Sequence, residues 1–223
     1  MRKLNQSFTL LEVLVALFVI ALLSGLSFVG YQQAYQSRER MRCLSSLRQW
    51  TIALEMFAND NGGVYPRSGN LYSKTPEIGA FMTNYMHLED VGTYSPDHLP
   101  LAMCKSGIAT YQNNAAFVGW SIYAGYSGPS PLQNDYAGVN FASEQTAKES
   151  GLAIIGCVTA SDMAGNNWTG HGVRYDPSSV EKPQGQMAAW PDGHTRWVKF
   201  EDLRVSTIKF AAYQYYMPRK DLN

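Results

Sequence analysis

Residues 8–30, FTLLEVLVALFVIALLSGLSFVG, constrain this chain more than any other stretch. Residues 13–30 carry no charge at all. At about 1.5 Å per helical residue, the run is roughly long enough to cross a bilayer core of about 30 Å. One residue breaks it. Glu12 sits four residues after the run begins, and a carboxylate in lipid costs about 2.5 kcal/mol or more. Such an acid asks for a cationic partner.

Ahead of the run lies a short leader, MRKLNQS, charged only at Arg2 and Lys3. A secretory signal places its small-residue cleavage site after the apolar region. Here the small residue, Ser7, comes before it, so a cut at Ser7 removes the charges and keeps the apolar helix. The string S-F-T-L-L-E, Ser7 to Glu12, resembles the class III signal of type IV pilins and type II secretion pseudopilins. In that family a dedicated peptidase cuts before a Phe and methylates the new amino terminus. The resemblance therefore marks Ser7 and Phe8 as the cleavage and methylation site. The family usually carries Gly before the cut, where this chain has Ser7. The resemblance also implies that Glu12, fifth residue of the processed chain, pairs with the freed amine of a neighbouring subunit during assembly. Two charges that are each costly in lipid become tolerable when they neutralise one another. Without the resemblance, the same residues describe an uncleaved signal anchor with Glu12 at the headgroup level.

The length of 223 residues suits one helix and one modest domain. Net charge is zero, and nothing in it points to nucleic acid. Low charge, at 16 %, with 14 Tyr and 5 Trp fits an extracytoplasmic packing module. The three cysteines are Cys43, Cys104 and Cys157, in no zinc-type spacing. If two bridge, Cys104–Cys157 is the expected pair, because Cys43 falls on the long helix. Arg2 and Lys3 precede the apolar run, whereas Arg38, Arg40, Arg42 and Arg48 follow it. Charge counting alone leaves the orientation open. The resemblance implies an inner-membrane single pass with the C-terminal domain extracytoplasmic.

Residues 31–59 contain neither Pro nor Gly. Leu44, Leu47, Thr51, Leu54 and Ala58 recur at three- and four-residue steps, with Phe57 flanking, which predicts an amphipathic helix with one buried face. The arginines are expected on wet faces or against neighbours. Asn61-Gly62-Gly63 supplies the stop. A continuous helix over residues 8–60 is roughly 80 Å long. Around its end, Ala53, Leu54, Phe57, Ala58, Asn59, Asp60, Asn61, Gly63 and Pro66 resemble a pseudopilin-like branch abundant in planctomycetes. Capping and turn chemistry accounts for Asn59, Asp60 and Asn61 better than cation binding does.

Thr75-Pro76-Glu77 reads as a helix start, with Ile78, Phe81, Met82 and Tyr85 facing a core. Otherwise residues 62–100 read as long loops. Residues 115–124 and 152–159 read as strands, and residues 125–140 as an exposed loop for subunit or ligand contact. Residues 186–200 read as a β-hairpin around Asp192-Gly193, with Val198 and Phe200 on one face. Residues 208–217 are apolar and aromatic enough to pack on the sheet, as helix or strand. The same branch often carries a His, a spacer and Asp-Gly-His before a strand, which His171, Asp192, Gly193, His194 and Trp197 resemble. The spacer here is twenty residues, about twice the usual one.

Asp162, His171, Asp192 and His194 are the only candidates for a metal or hydrolytic site; His/Asp sets suit transition metals and hard oxygens suit calcium. Turn and strand roles account for them without a metal, and no catalytic residues are assigned. Calcium is the one cofactor that the family resemblance brings into view. No G-x-S-x-G, H-E-x-x-H, phosphate-loop or dinucleotide motif is present.

The expected fold is α+β: a long N-terminal helix packed on a C-terminal antiparallel sheet domain, pilin-like. The expected segments are a leader (1–7), a transmembrane half-helix (8–30), an amphipathic half-helix (31–61) and an extracytoplasmic domain (62–223). The expected role is a filament subunit rather than an enzyme. Its partners are the prepilin peptidase, its own and related subunits, an inner-membrane assembly platform and lipid. The rival is a membrane-anchored binding module or metal-dependent hydrolase.

Overall fold

The computed structural model describes residues 10–68, 76–88, 120–125, 136, 139–162, 164–165, 168, 170–171, 180–205 and 213–220; the side chains of 26–29, 32, 121, 162 and 213–215 fall outside this set. The chain divides into two compact units, Met1–Glu39 and Arg40–Asn223. Helix α1, Leu10–Asp60, runs from the first into the second.

In the first unit, the large apolar side chains from Leu10 through Leu23 are exposed, Leu10 at 84 % and Phe18 at 62 %. In the second unit the same helix is amphipathic. Cys43, Leu47, Trp50, Leu54 and Ala58 follow three- and four-residue steps and are buried, with Ser46, Thr51 and Ala53 beside them. Ile52 and Met56 point to the opposite, exposed side. The predicted face is therefore present, and it is wider than expected by Cys43 and Trp50. The helix ends at Asp60 in a Schellman-type closure. Gly62 takes φ 66°, and the Gly63 N–H donates to the Ala58 C=O at 2.7 Å. The Asn61 amide donates to the Phe57 C=O, and the Tyr85 hydroxyl bonds the Asp60 carboxylate. A helix-end bond thus occupies Asn61, and a tertiary bond from the Tyr85 hydroxyl occupies Asp60.

Helix α2, Pro76–Met86, begins at the predicted proline and buries Ile78, Phe81 and Met82. Phe81 packs on Trp50 and Phe57 at 5.8 Å each and stacks on Tyr85, so aromatic contacts join α2 to α1. Thr75, the expected cap, lies outside the described residues.

A four-stranded antiparallel sheet has the order β1-β2-β4-β5: β1 Trp120–Ile122, β2 Ile155–Cys157, β4 Gly185–Ala189 and β5 Thr195–Lys199. A three-stranded antiparallel sheet places β7, Tyr213–Pro218, between β3, Ala160–Asp162, and β6, Leu203–Val205. The C-terminal aromatic run, open between helix and strand in the sequence, is a strand. Buried Gln186 links the sheets. With its amide nitrogen turned toward acceptors, it reaches Thr159 Oγ1 and the Cys157 C=O at 3.1 Å and the Tyr216 C=O at 3.2 Å. The amphipathic part of α1 and the four-stranded sheet contribute to one hydrophobic core. The fold is α+β, with the N-terminal helix packing on a sheet domain.

A short helix that the sequence reading missed, α3 (Glu144–Ser150), has Ser143 as N-cap and Gly151, at φ 67°, as C-cap. Its start is tied to the exit of α1: the Glu144 N–H donates to the Gly63 C=O, and Val64 bridges Ser143.

The expected Cys104–Cys157 disulfide is corrected. Cys157 is a thiol, deep in β2, and its neighbours are Cys43 and His171; Cys104 lies outside the described residues. The buried face of α1 extends back to Cys43, so a position on the long helix brings that residue to the sheet instead of keeping it away.

Gly125 and Gly193 both need positive φ, 68° and 84°, but differ in surroundings. A Cβ at Gly125 falls 1.9 Å from the Pro66 carbonyl oxygen, whereas at Gly193 it meets nothing within 4 Å. Gly193→Ala should cost about 1–2 kcal/mol in backbone strain alone. Gly125→Ala should add about 1–3 kcal/mol of overpacking. Thermal unfolding of the two full-length variants checks this; equal losses would show that the Pro66 contact does not hold the loop.

Candidate functional site

Three places bear on function. The first is the beginning of α1. Ser7 and Phe8 lie outside the described residues. Glu12 stands in the first helical turn, exposed, where a carboxylate favours the positive end of the helix dipole. Around it the helix is apolar on all sides, a pattern that in water leaves too much surface uncovered. Among the described residues no helix is long and apolar enough to cross a membrane.

The second place is the turn between β4 and β5. The Gly193 N–H donates to the Trp190 C=O, and the Trp190 N–H to the His194 C=O, both at 3.0 Å. Pro191 and Asp192 fill the turn, and Gly193 takes the left-handed position, so the loop is three residues long and ends in a glycine bulge. The hairpin was legible in the sequence; its turn has one residue more than the Asp-Gly pair. Asp192 Oδ1 accepts from the His194 backbone N–H at 3.1 Å and faces His194 Nδ1 at 2.5 Å. The His194 ring stacks on Trp190 at 4.5 Å, and the Arg196 guanidinium lies over the Trp190 ring at 5.0 Å. Partial burial pushes the Asp192 carboxyl up, but the His194 backbone N–H and imidazole outweigh it, and its pKa falls below the ordinary carboxylate value. Nearby, burial pushes the Glu55 carboxyl on α1 up, offset in part by Lys148 on α3. His194 contacts Asp192 and Trp190, with no nucleophile in hydrogen-bond reach among the described residues. Among the described residues the His194–Asp192 pair braces the turn.

The third place is His171. The structure does not bring it to Asp192 and His194. It is buried, bridges Gly185 at the start of β4, and sets Nε2 3.2 Å from Cys157 Sγ. Asp162 belongs to β3 in the other sheet, and its side chain lies outside the described set. The four sequence candidates therefore do not form one site among the described residues. Instead, Cys43, Cys157 and His171 form the one group of three potential ligands there. Sequence spacing could not reveal it, because its members come from a helix, a strand and a loop.

Residues 2–28 match the prokaryotic N-terminal methylation motif, the prepilin-type signal of type IV pilins and pseudopilins. The motif implies processing by a prepilin peptidase and assembly with other pilin-type subunits. No curated protein and no solved structure matches the chain.

The depressed Asp192 carboxyl has a pH consequence. Its contribution to stability is present above the ordinary value of 3.8 and is lost as pH falls through the lower folded-state value. Because the side chain is 66 % exposed, the contribution should stay below about 1 kcal/mol. Asp192→Asn should lower the thermal midpoint slightly at neutral pH, and the gap should close on acidification below 3.8. A gap that persists unchanged in acid would assign the effect to turn geometry and not to charge.

Proposed function

We propose that this chain is the structural subunit of a pilin-like filament, a type II secretion pseudopilus in preference to a type IV pilus. In this reading it is cut between Ser7 and Phe8, methylated at the new amino terminus, and held in the inner membrane by residues 8–30. Residues 31–61 carry the amphipathic half-helix, and residues 62–223 form the extracytoplasmic domain. Its partners are the prepilin peptidase, an inner-membrane assembly platform, membrane lipid and other copies or relatives of itself. It does its work mechanically, without catalysis.

The observation that carries the reading is the change along α1. From Leu10 through Leu23 its apolar side chains are exposed, while from Cys43 to Ala58 an apolar face is buried. The first stretch needs a cover of lipid or of neighbouring helices, and it coincides with the methylation motif at residues 2–28. Glu12 supplies the one charge in that apolar surface. A neighbour's new N-terminal ammonium is the cation that neutralises it without adding a side chain to the bilayer. The preference for a secretion pseudopilus rests on the likeness of residues 53–66 to pseudopilin-like proteins.

Two measurements test this. In native membranes, the N-terminal peptide should begin at methylated Phe8 when the prepilin peptidase is present, and at Met1 when it is deleted. A start at Met1 in both strains would sink the filament reading. Glu12→Ala should still be cleaved, but its recovery in sheared or cross-linked filaments should fall about tenfold or more, because the neighbour's amine loses its counter-charge. Undiminished assembly of this variant would remove Glu12 from the mechanism.

A further inference from the structure

We propose that Cys43, Cys157 and His171 form a binding site for a thiophilic divalent metal ion, zinc, that clips helix α1 to the four-stranded sheet. The three residues come from separate elements: Cys43 from the buried face of α1, Cys157 from β2, and His171 from the bridge leading toward β4. One ligand atom from each lies within 4.8 Å of the others, and His171 Nε2 is 3.2 Å from Cys157 Sγ. All three are buried, at 5 %, 0 % and 6 % exposure.

The dimensions suit a tetrahedral ion. Zinc–sulfur and zinc–nitrogen bonds of about 2.3 and 2.0–2.1 Å put neighbouring ligand atoms about 3.5–3.8 Å apart. The separations, 3.2 Å for one pair and no more than 4.8 Å for the others, lie around that range, so side-chain adjustments of at most about 1 Å bring the three atoms to tetrahedral spacing. Charge also balances. Binding releases one proton from each thiol to solvent, and two thiolates then cancel the charge of a divalent cation. A neutral imidazole is the third ligand, so no net charge is buried. The ligand set of two soft sulfurs and one imidazole selects zinc-like ions over calcium or magnesium.

The surroundings fix the imidazole. Its ring meets the edge of Trp197 at 5.4 Å and 75°. The Gln184 N–H donates to the His171 C=O at 2.9 Å, and Arg40 bonds the Gln184 side chain while lying 4.3 Å over the Trp197 ring. A histidine held this way keeps one nitrogen aimed at the thiols, a positioning that a simple cysteine pair would not need. Three protein ligands leave one tetrahedral position, as in zinc sites that also hold a water.

The proposal is independent of filament assembly, and its test reads the metal directly. Full-length protein is purified in detergent under reducing conditions, stripped with chelator, reloaded with zinc or cobalt(II), and desalted. About one zinc ion per chain should be retained. Cobalt should give thiolate-to-metal charge-transfer absorption and the intense visible bands of a tetrahedral site. Cys43→Ser and His171→Ala, checked for folding by circular dichroism, should lower retained metal at least about tenfold. The wild-type cobalt spectrum stands even if a variant does not fold. Reduced wild-type protein that retains less than about one-tenth of an ion per chain, with no cobalt–thiolate band, would overturn the proposal. So would a Cys43–Cys157 disulfide in protein isolated without reductant, with no metal uptake after reduction.

Discussion

The burial of one helical face between Cys43 and Ala58 is the contact on which the rest of the folded unit depends. Trp50, Leu47 and Leu54 are fully buried there, and full burial of one large apolar side chain contributes about 1.5–3 kcal/mol. The strands that share a core with this face are short, three to six residues each, and sheets of such strands need a packed face to persist. The helix supplies it. Phe81 of α2 then closes over Trp50 and Phe57, and α3 is tied to the helix exit through Gly63. Loss of the α1 face would therefore leave α2 and the central strands without the surface they share.

That dependence explains what the sequence made legible. A three- and four-residue apolar step marks a buried helical face by itself, so Leu47, Thr51, Leu54 and Ala58 could be assigned without knowing what covers them. The Pro76 helix start and the 186–200 hairpin rest on equally local chemistry. Helix α3 was also written locally, as Ser143, Glu144, Lys148 and Gly151, but it is only seven residues long, and the polar residues that cap it also read as loop. Long-range pairings were hidden. The Y-Q-Y-Y run becomes a strand because β3 and β6 flank it. The chain separation between His171 and Cys157 is short, yet nothing in their spacing says that the two come together although β3 lies between them, or that Cys43 joins them from the helix.

The N-terminal signal and the folded unit illustrate two kinds of information. In residues 2–28 the match is to a motif read by a processing enzyme, and it says little about how the remaining chain packs. In the second unit the packing is explicit, and the same histidine that resembled part of a sequence motif turns out to belong elsewhere. Asp192 and His194 shape a hairpin turn braced by Trp190, whereas His171 is drawn into the interior by its bridge to Gly185. Gly185 in turn lets β5 come close on its other flank: a Cβ there would fall 2.1 Å from the Val198 carbonyl oxygen and 2.8 Å from the Trp197 ring. The long spacer between His171 and Asp192 thus separates two residues with different tasks, one structural at the surface and one buried beside thiols.

A single helix with two surface patterns follows from what each part must meet. Exposed leucine, valine and phenylalanine from Leu10 through Leu23 are stable only where water is excluded by something outside the chain. The face from Cys43 onward is covered by the chain itself. Arg40 and Arg48, near the change, turn their charges to the folded unit, Arg40 over Trp197 and Arg48 onto Thr195 Oγ1. These side chains keep guanidinium groups at the rim of the sheet, where aromatic and hydroxyl partners accept them while water still reaches the charge. Two of the four arginines that made charge counting ambiguous, Arg40 and Arg48, therefore have partners in the folded unit, and their place after the apolar run reflects packing there as much as orientation in a membrane.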